Sequence, residues 1–217
     1  YEMTSSLVGS EMCIRDSVAF TLTWLFGTNN EQIRNENKTS ENKTEKAEQP
    51  AQAMETKTEN ADVADDGIIT APLSGKAVKL ENVPDQTFAQ GILGLGAAIE
   101  PTEGKVVAPG DGKVETLFDT FHAIGLTLDN GKELLIHVGI NTVELKGEGF
   151  KAYVSEGDRV TKGQTLITFD TDFIKSKGYQ TITPVLVGNS DEFASVEELA
   201  EEGTEVTIGD KLIKVNA

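Results

Sequence analysis

His122 and His137 are the only imidazoles in a chain of 217 residues. Each sits in a largely apolar stretch, "DTFHAIGLTL" and "ELLIHVGIN", where a lone histidine is by default a structural residue. Brought together, the pair leaves three chemistries open. A zinc site needs three or four protein ligands, so a carboxylate would have to join the two rings. A hydrolase needs a Ser or Cys nucleophile, but nothing resembles a nucleophile elbow and Cys13 is the sole cysteine. A phosphoryl acceptor needs one neutral imidazole as nucleophile and a neighbour that donates to the phosphoryl oxygens, which two histidines can provide.

Whether the rings meet depends on the strands that carry them. Treated as a strand, Glu133 to Ile140 points Leu134, Ile136, Val138 and Ile140 to one face and Glu133, Leu135, His137 and Gly139 to the other. The unbroken apolar face belongs to the core, so His137 lies on the opposite side. Gly139, lacking a side chain there, would leave room for an approaching group. Asn130-Gly131 predicts a type I′ hairpin turn, which sets residues 122 to 124 against 137 to 139. The two histidines then become cross-strand neighbours.

Similar short apolar runs, separated by Gly, Asp, Asn and Pro, recur from Gly67 to Ala217, among them "VVAPGDGKVETLF", "TPVLVGN" and "EVTIGDKLIKV". The pattern predicts an all-β fold for 67–217, an antiparallel sandwich or barrel-sandwich hybrid with a few short helices. One helix is expected after Asp170 in "DTDFIKSKG". A second is expected in "SVEELAEEG", where Ser195 and Glu198 form a capping-box pattern and Gly203 ends the segment. The β-units are duplicated: "APLSGKAVKL" at Ala71 and "APGDGKVETL" at Ala108 share Ala-Pro-x-x-Gly-Lys. "VSEGDRVTKGQTLITFD" has the turn pattern of biotinyl and lipoyl carrier domains.

The composition is acidic, with 19 Lys and Arg against 36 Asp and Glu and a net charge of -17. No basic cluster is present to hold a phosphate backbone, which argues against a nucleic-acid partner. Residues 28–66 are rich in Asn, Glu, Lys, Thr and Gln, contain no aromatic residue, and read as a flexible linker. Treated as a coil they would reach roughly 30 to 40 Å. "VAFTLTWLFG", residues 18–27, is apolar but would rise only about 15 Å as a helix, half of a hydrocarbon core of about 30 Å. Composition alone weighs a frayed hydrophobic tail about equally with the end of a truncated transmembrane helix, and the latter is the expected assignment. Residues 1–17 include "EMCIRDS", which matches the translation of a transposon end used in sequencing libraries, and are expected to be a sequencing-adapter artefact. Cys13 then carries no biological information.

"IHVGINTVELKGEGF", from Ile136 to Phe150, closely resembles the phosphorylation-site signature of the glucose-type enzyme IIA domain of the bacterial phosphoenolpyruvate:sugar phosphotransferase system. "DTFHAIGLTLDNG", "TDFIKSKGYQTITPVLVGNSDE" and the run from Ala71 to Val114 fit the same family in order, so the resemblance spans 67–217. It implies that His137 accepts phosphate from the phosphocarrier protein HPr and passes it to a cysteine of an enzyme IIB domain. His122 would stabilise the phosphoryl group and Thr120 would orient His122. Phe88, Ile92, Phe118, Leu135 and Asn141 would belong to the docking face. Asn141 stands where some members carry Asp, and Phe121 where glucoside-type relatives often carry Lys, which changes the charge a partner meets. No metal or cofactor is implied.

In β-glucoside, sucrose and trehalose permeases such a domain follows a membrane IIC domain and a linker. The resemblance thus implies the C-terminal part of such a permease, a cytoplasmic domain tethered to the cell membrane with IIB and IIC as partners. A phosphorylation-dependent regulatory binding module is the alternative. A carrier domain is disfavoured because the Met-Lys-Met tip is missing, and a zinc peptidase of related architecture because no His-x-His pair occurs.

Overall fold

The computed structural model describes residues 66–217. The assignments for 1–17 and 18–27, and all but the last residue of 28–66, lie outside the described residues. The described chain forms fourteen strands and two short α-helices. The first six strands are β1 (Ile68–Thr70), β2 (Gly75–Val78), β3 (Leu95–Pro101), β4 (Lys105–Val107), β5 (Gly112–Leu117) and β6 (Ala123–Leu128). β7 (Glu133–His137), β8 (Phe150–Ala152), β9 (Arg159–Val160) and β10 (Thr165–Phe169) follow. The last four are β11 (Thr183–Val187), β12 (Ser195–Glu198), β13 (Glu205–Val206) and β14 (Lys211–Asn216). Helix α1 is Gln86–Ala89 and α2 is Thr171–Ser176. The second is the helix expected after Asp170, whose carboxylate accepts the Phe173 N–H at 2.9 Å and caps it.

One eight-stranded sheet runs β13-β2-β3-β11-β7-β6-β5-β9, and two three-stranded sheets run β1-β14-β12 and β4-β10-β8. All strand pairs are antiparallel. The order is that of two like halves meeting at β11 and β7. Matching backbone bonds establish the duplication residue by residue. Gly209 N–H donates to Ala71 O as Gly163 N–H does to Ala108 O, and Ala77 N–H donates to Thr204 O as Val114 N–H does to Asp158 O. One half is the continuous run β4 to β10; the other is split around it, with β1 to β3 before and β11 to β14 after.

This duplication corrects the helix expected in "SVEELAEEG". Ser195–Glu198 is strand β12, paired with β14 from Ser195 opposite Asn216 to Glu198 opposite Ile213. It is the counterpart of β8, which pairs with β10 in the same way. The capping residues are engaged elsewhere: Ser195 accepts a hydrogen bond from the Asn216 side chain and Glu198 accepts the Leu80 N–H. A four-residue pattern has little helix-forming strength of its own, and sheet pairing overrides it. The likeness of "EEGTEVTIGDKLI" to "SEGDRVTKGQTLI" makes β13 and β14 the counterparts of β9 and β10, and so the segment before them the counterpart of β8, which the capping pattern obscures.

The main core joins all three sheets, with Ile99, Ile124, Leu126 and Ile136 from the large sheet meeting Leu166, Ile167, Leu212 and Ile213 from the small ones. Each such side chain contributes roughly 1.5–3 kcal/mol on burial. A smaller cluster, Leu80, Val83, Phe88, Ala98, Ile140 and Leu186, lies on the other face of the large sheet. It exists because the β2–β3 connection is long and folds back over the strands, whereas its counterpart between β5 and β6 is a tight turn. Two details of the hairpin reading change. The β6–β7 turn is a three-residue loop with only Gly131 left-handed (φ +81°), closed by Gly131 N–H to Leu128 O, and Asn130 keeps negative φ. It is therefore not type I′. Ile140 belongs to the smaller cluster rather than to the face of Ile136, because the strand ends at His137 and Gly139 (φ +76°) redirects the chain.

Candidate functional site

His137 is the last residue of β7, and Ala123, the first of β6, lies directly opposite it. The alternation read from the sequence holds along β7: Leu134 and Ile136 are buried in the main core, while Leu135 and His137 are half-buried on the other face. His122 precedes β6, and its carbonyl accepts the Val138 N–H at 2.6 Å. Strict alternation would send its side chain away from His137, since Ala123 already shares the His137 face. The turn before it prevents that. Phe121 is left-handed (φ +54°) and its N–H bonds to Phe118 O, so β6 begins only at Ala123 and His122 is free of the pleat. The two imidazoles meet edge to face with centroids 4.9 Å apart.

Each ring is held at Nδ1. His137 Nδ1 lies 2.8 Å from Gly139 O, and a carbonyl oxygen only accepts, so this nitrogen carries the proton. Nε2 of neutral His137 is then left with its lone pair exposed to the site, the form required of a nucleophile. His122 Nδ1 is bonded to Thr120 Oγ1. If the hydroxyl donates, the His122 proton sits on Nε2, where it can bond an oxygen of a group attached to His137. The Phe88 ring lies 5.0 Å from the His137 ring, and the Phe118 ring 5.3 Å from that of His122. A nucleophile and a donor side by side, walled by aromatic rings, suit transfer of a small anionic group.

The model of the family described as "phosphoenolpyruvate-dependent sugar phosphotransferase system, EIIA 1" matches residues 67–193, more than half of the chain. The chain belongs to this family. Similar proteins include the PTS system glucose-specific EIIA component of Staphylococcus aureus (strain Mu50), 48% identical over 135 residues, covering 62% of this chain and 81% of the relative. That of Halalkalibacterium halodurans is 49% identical over 137 residues, covering 63% of this chain and 79% of the relative. Among solved structures, glucose permease IIA from Mycoplasma capricolum aligns with a TM-score of 0.60 and 32% identity, covering 67% of this chain and 93% of that one. The β-sandwich expected for such a domain is the fold observed.

The EIIA domain depresses the basicity of both rings. Burial, reinforced by the neighbouring His137 charge, pushes His122 down from 6.5 to about 4. Burial also holds His137 below its ordinary range, opposed by the Gly139 hydrogen bond and the Asp85 carboxylate. Both rings are thus kept neutral near pH 7. The unfolded chain binds more protons than the folded one between these limits, so the stability gained from a neutral His122 is complete above 6.5 and is lost as pH falls toward about 4. The melting temperature is expected to fall from about pH 7 to about pH 5, and the fall should be shallower in His122→Gln. Parallel slopes in thermal melts would contradict the burial argument.

The remaining residues expected at the site divide by exposure. Ile92 is 65% exposed and Phe118 40%, with Leu95 and Val143 adding apolar surface. Leu135 is half-buried between Gly125 and Leu186 on the adjacent strands, and Asn141 is exposed, left-handed (φ +58°), at the start of the 3-10 turn Thr142–Leu145. Phe88, only 6% exposed, forms a wall behind His137 more than a surface for a partner. Three contributions, including the backbone role of Gly139, were not read from the sequence. The Gly139 carbonyl sets the His137 tautomer. Thr142, fully buried, donates to Val138 O and fixes the turn after β7. Asp85 accepts the Thr87 N–H at 2.8 Å, which starts α1 and brings up Phe88; "PDQTF" carried that capping signal. Gly139 is explained by backbone conformation and by crowding from Thr142 and Gln180, rather than by open space beside the imidazole.

Proposed function

We propose that this EIIA domain carries a phosphoryl group on His137 Nε2, taken from HPr and passed to the cysteine of a IIB domain for uptake through a IIC permease. The observation that supports this most directly is the Nδ1–Gly139 carbonyl bond, which leaves Nε2 as the free nucleophile. In the step, the Nε2 lone pair forms a bond to phosphorus while the bond from phosphorus to the donor breaks. The proton stays on His137 Nδ1, donated to the Gly139 carbonyl, whose oxygen offsets the positive charge the ring acquires. Thr120 donates to His122 Nδ1, so that His122 Nε2–H bonds a phosphoryl oxygen. Ile92, Phe118, Leu135 and Asn141 form the face met by both partners. The relatives named glucose-specific support glucose or a glucose-containing sugar as the transported class.

Incubation with phosphoenolpyruvate, enzyme I and HPr should label the domain with acid-labile, base-stable phosphate. His122→Gln should still accept phosphate but pass it to IIB at least about a hundredfold more slowly, because a preorganised donor to the transferring group is removed. Equal transfer by that variant in a quenched-flow assay would remove His122 from the mechanism.

A further inference from the structure

The segment that places Phe88 on His137 is held from a distance. It begins with a 3-10 turn, Leu80–Asn82, whose preceding residue Lys79 provides no side-chain cap. The Leu80 N–H instead donates to Oε1 of Glu198, 118 residues away on edge strand β12, at 2.8 Å. A second clamp follows, from Asn82 Nδ2 to Glu202 Oε1 at 2.7 Å. Beside the segment lies an open groove bordered by Lys79, Glu81, Gln90, Leu95, Val196 and Glu198. The segment and β12 both line this groove, and the Leu80–Glu198 bond joins the two sides. Leu80, Val83 and Phe88 anchor its other side in the small cluster, and Phe88 ends against the imidazole.

We propose that Glu198 is a positioning residue for phosphoryl transfer: from β12 it fixes residues 79–94, and through them holds Phe88 against His137. This rests on His137 being the phosphoryl acceptor. The acceptor is a carboxylate, and such a charge-assisted bond is stronger than a neutral one. The surroundings of Glu198 agree with a group drawn partly out of water: burial raises its pKa, against the Leu80 N–H and Lys79, with Glu81 and Glu202 adding to the rise.

The test is the titration of the His137 ring followed by NMR, which needs no phosphorylation and so separates this inference from the assignment of the acceptor. Glu198→Ala should raise the His137 pKa by about half a unit or more as Phe88 withdraws and water reaches the ring. It should also slow phosphate uptake from HPr about three- to tenfold. Glu198→Gln keeps an oxygen acceptor for Leu80 and should restore both to within about twofold of the original. Asn82→Ala, an exposed change that leaves the fold intact, should move His137 in the same direction by less. An unmoved His137 in the folded variants, or a Glu198→Gln variant no better than Glu198→Ala, would overturn the proposal.

Discussion

His137→Gln is expected to abolish phosphate incorporation, by about a thousandfold or more, when the domain is supplied with phosphoenolpyruvate, enzyme I and HPr. A glutamine at this position has no ring nitrogen with a lone pair to form the bond to phosphorus, and its amide nitrogen is not a nucleophile. His122 cannot substitute for it, because the residue is buried, 6% exposed, and its Nδ1 is engaged by Thr120. The loss should be chemical and not structural. His137 is half-buried at the end of β7, outside the main core, and the strand pairing of Ile136 with Ile124 and Val185 does not involve the side chain. Circular dichroism and a melting temperature close to that of the original should therefore accompany the loss. Labelling that survives the substitution would remove His137 as acceptor.

Gly139→Ala should cost both stability and activity. The residue has φ +76°, which side chains with a Cβ rarely adopt, and an added Cβ would lie 2.5 Å from Thr142 Cγ2 and 2.6 Å from Gln180 O. Neither neighbour can yield easily. Thr142 is fully buried and bonded to Val138 O, and the Gln180 carbonyl is bonded to the Ile140 N–H at 3.0 Å. Backbone strain and overpacking together amount to about 3 kcal/mol, and for a domain of this size that lowers the melting temperature by about 6–12 °C. The displaced Gly139 carbonyl would also release His137 Nδ1. With that bond weakened, the ring proton is no longer confined to Nδ1 and part of the population loses the Nε2 lone pair. A rate of phosphate uptake reduced about tenfold at a temperature where the variant is folded is the expected result. A variant that is destabilised but transfers at the original rate would show that the carbonyl does not set the tautomer.

Phe121 and Glu198 show where sequence reading reaches its limit. The hairpin register around His137 was legible because both strands are strongly patterned, and the observed pairing of Ala123 with His137 falls within the range set by the Asn130-Gly131 turn even though the turn type differs. Alternation alone, however, would have put His122 on the wrong face. Its ring reaches His137 only because Phe121 adopts a left-handed conformation, a choice that costs a bulky residue energy and that no local pattern announces. Glu198 was misread for the opposite reason. A capping-box pattern is visible locally, but its competitor, pairing with β14, is formed by residues that come last in the chain.

By itself the sequence determined the strand-and-turn composition of the domain, its duplication, the face on which His137 lies and the family signature around it. These are carried by residue spacing of two, by turn residues and by short motifs, all local properties. Only the tertiary structure decided that His122 reaches His137, that the Gly139 carbonyl leaves Nε2 free, that burial keeps both rings neutral, and that Glu198 of β12 bonds the Leu80 N–H. Each of these depends on backbone groups, solvent exclusion or contacts between residues far apart in the chain, which exist only once the sheets have assembled.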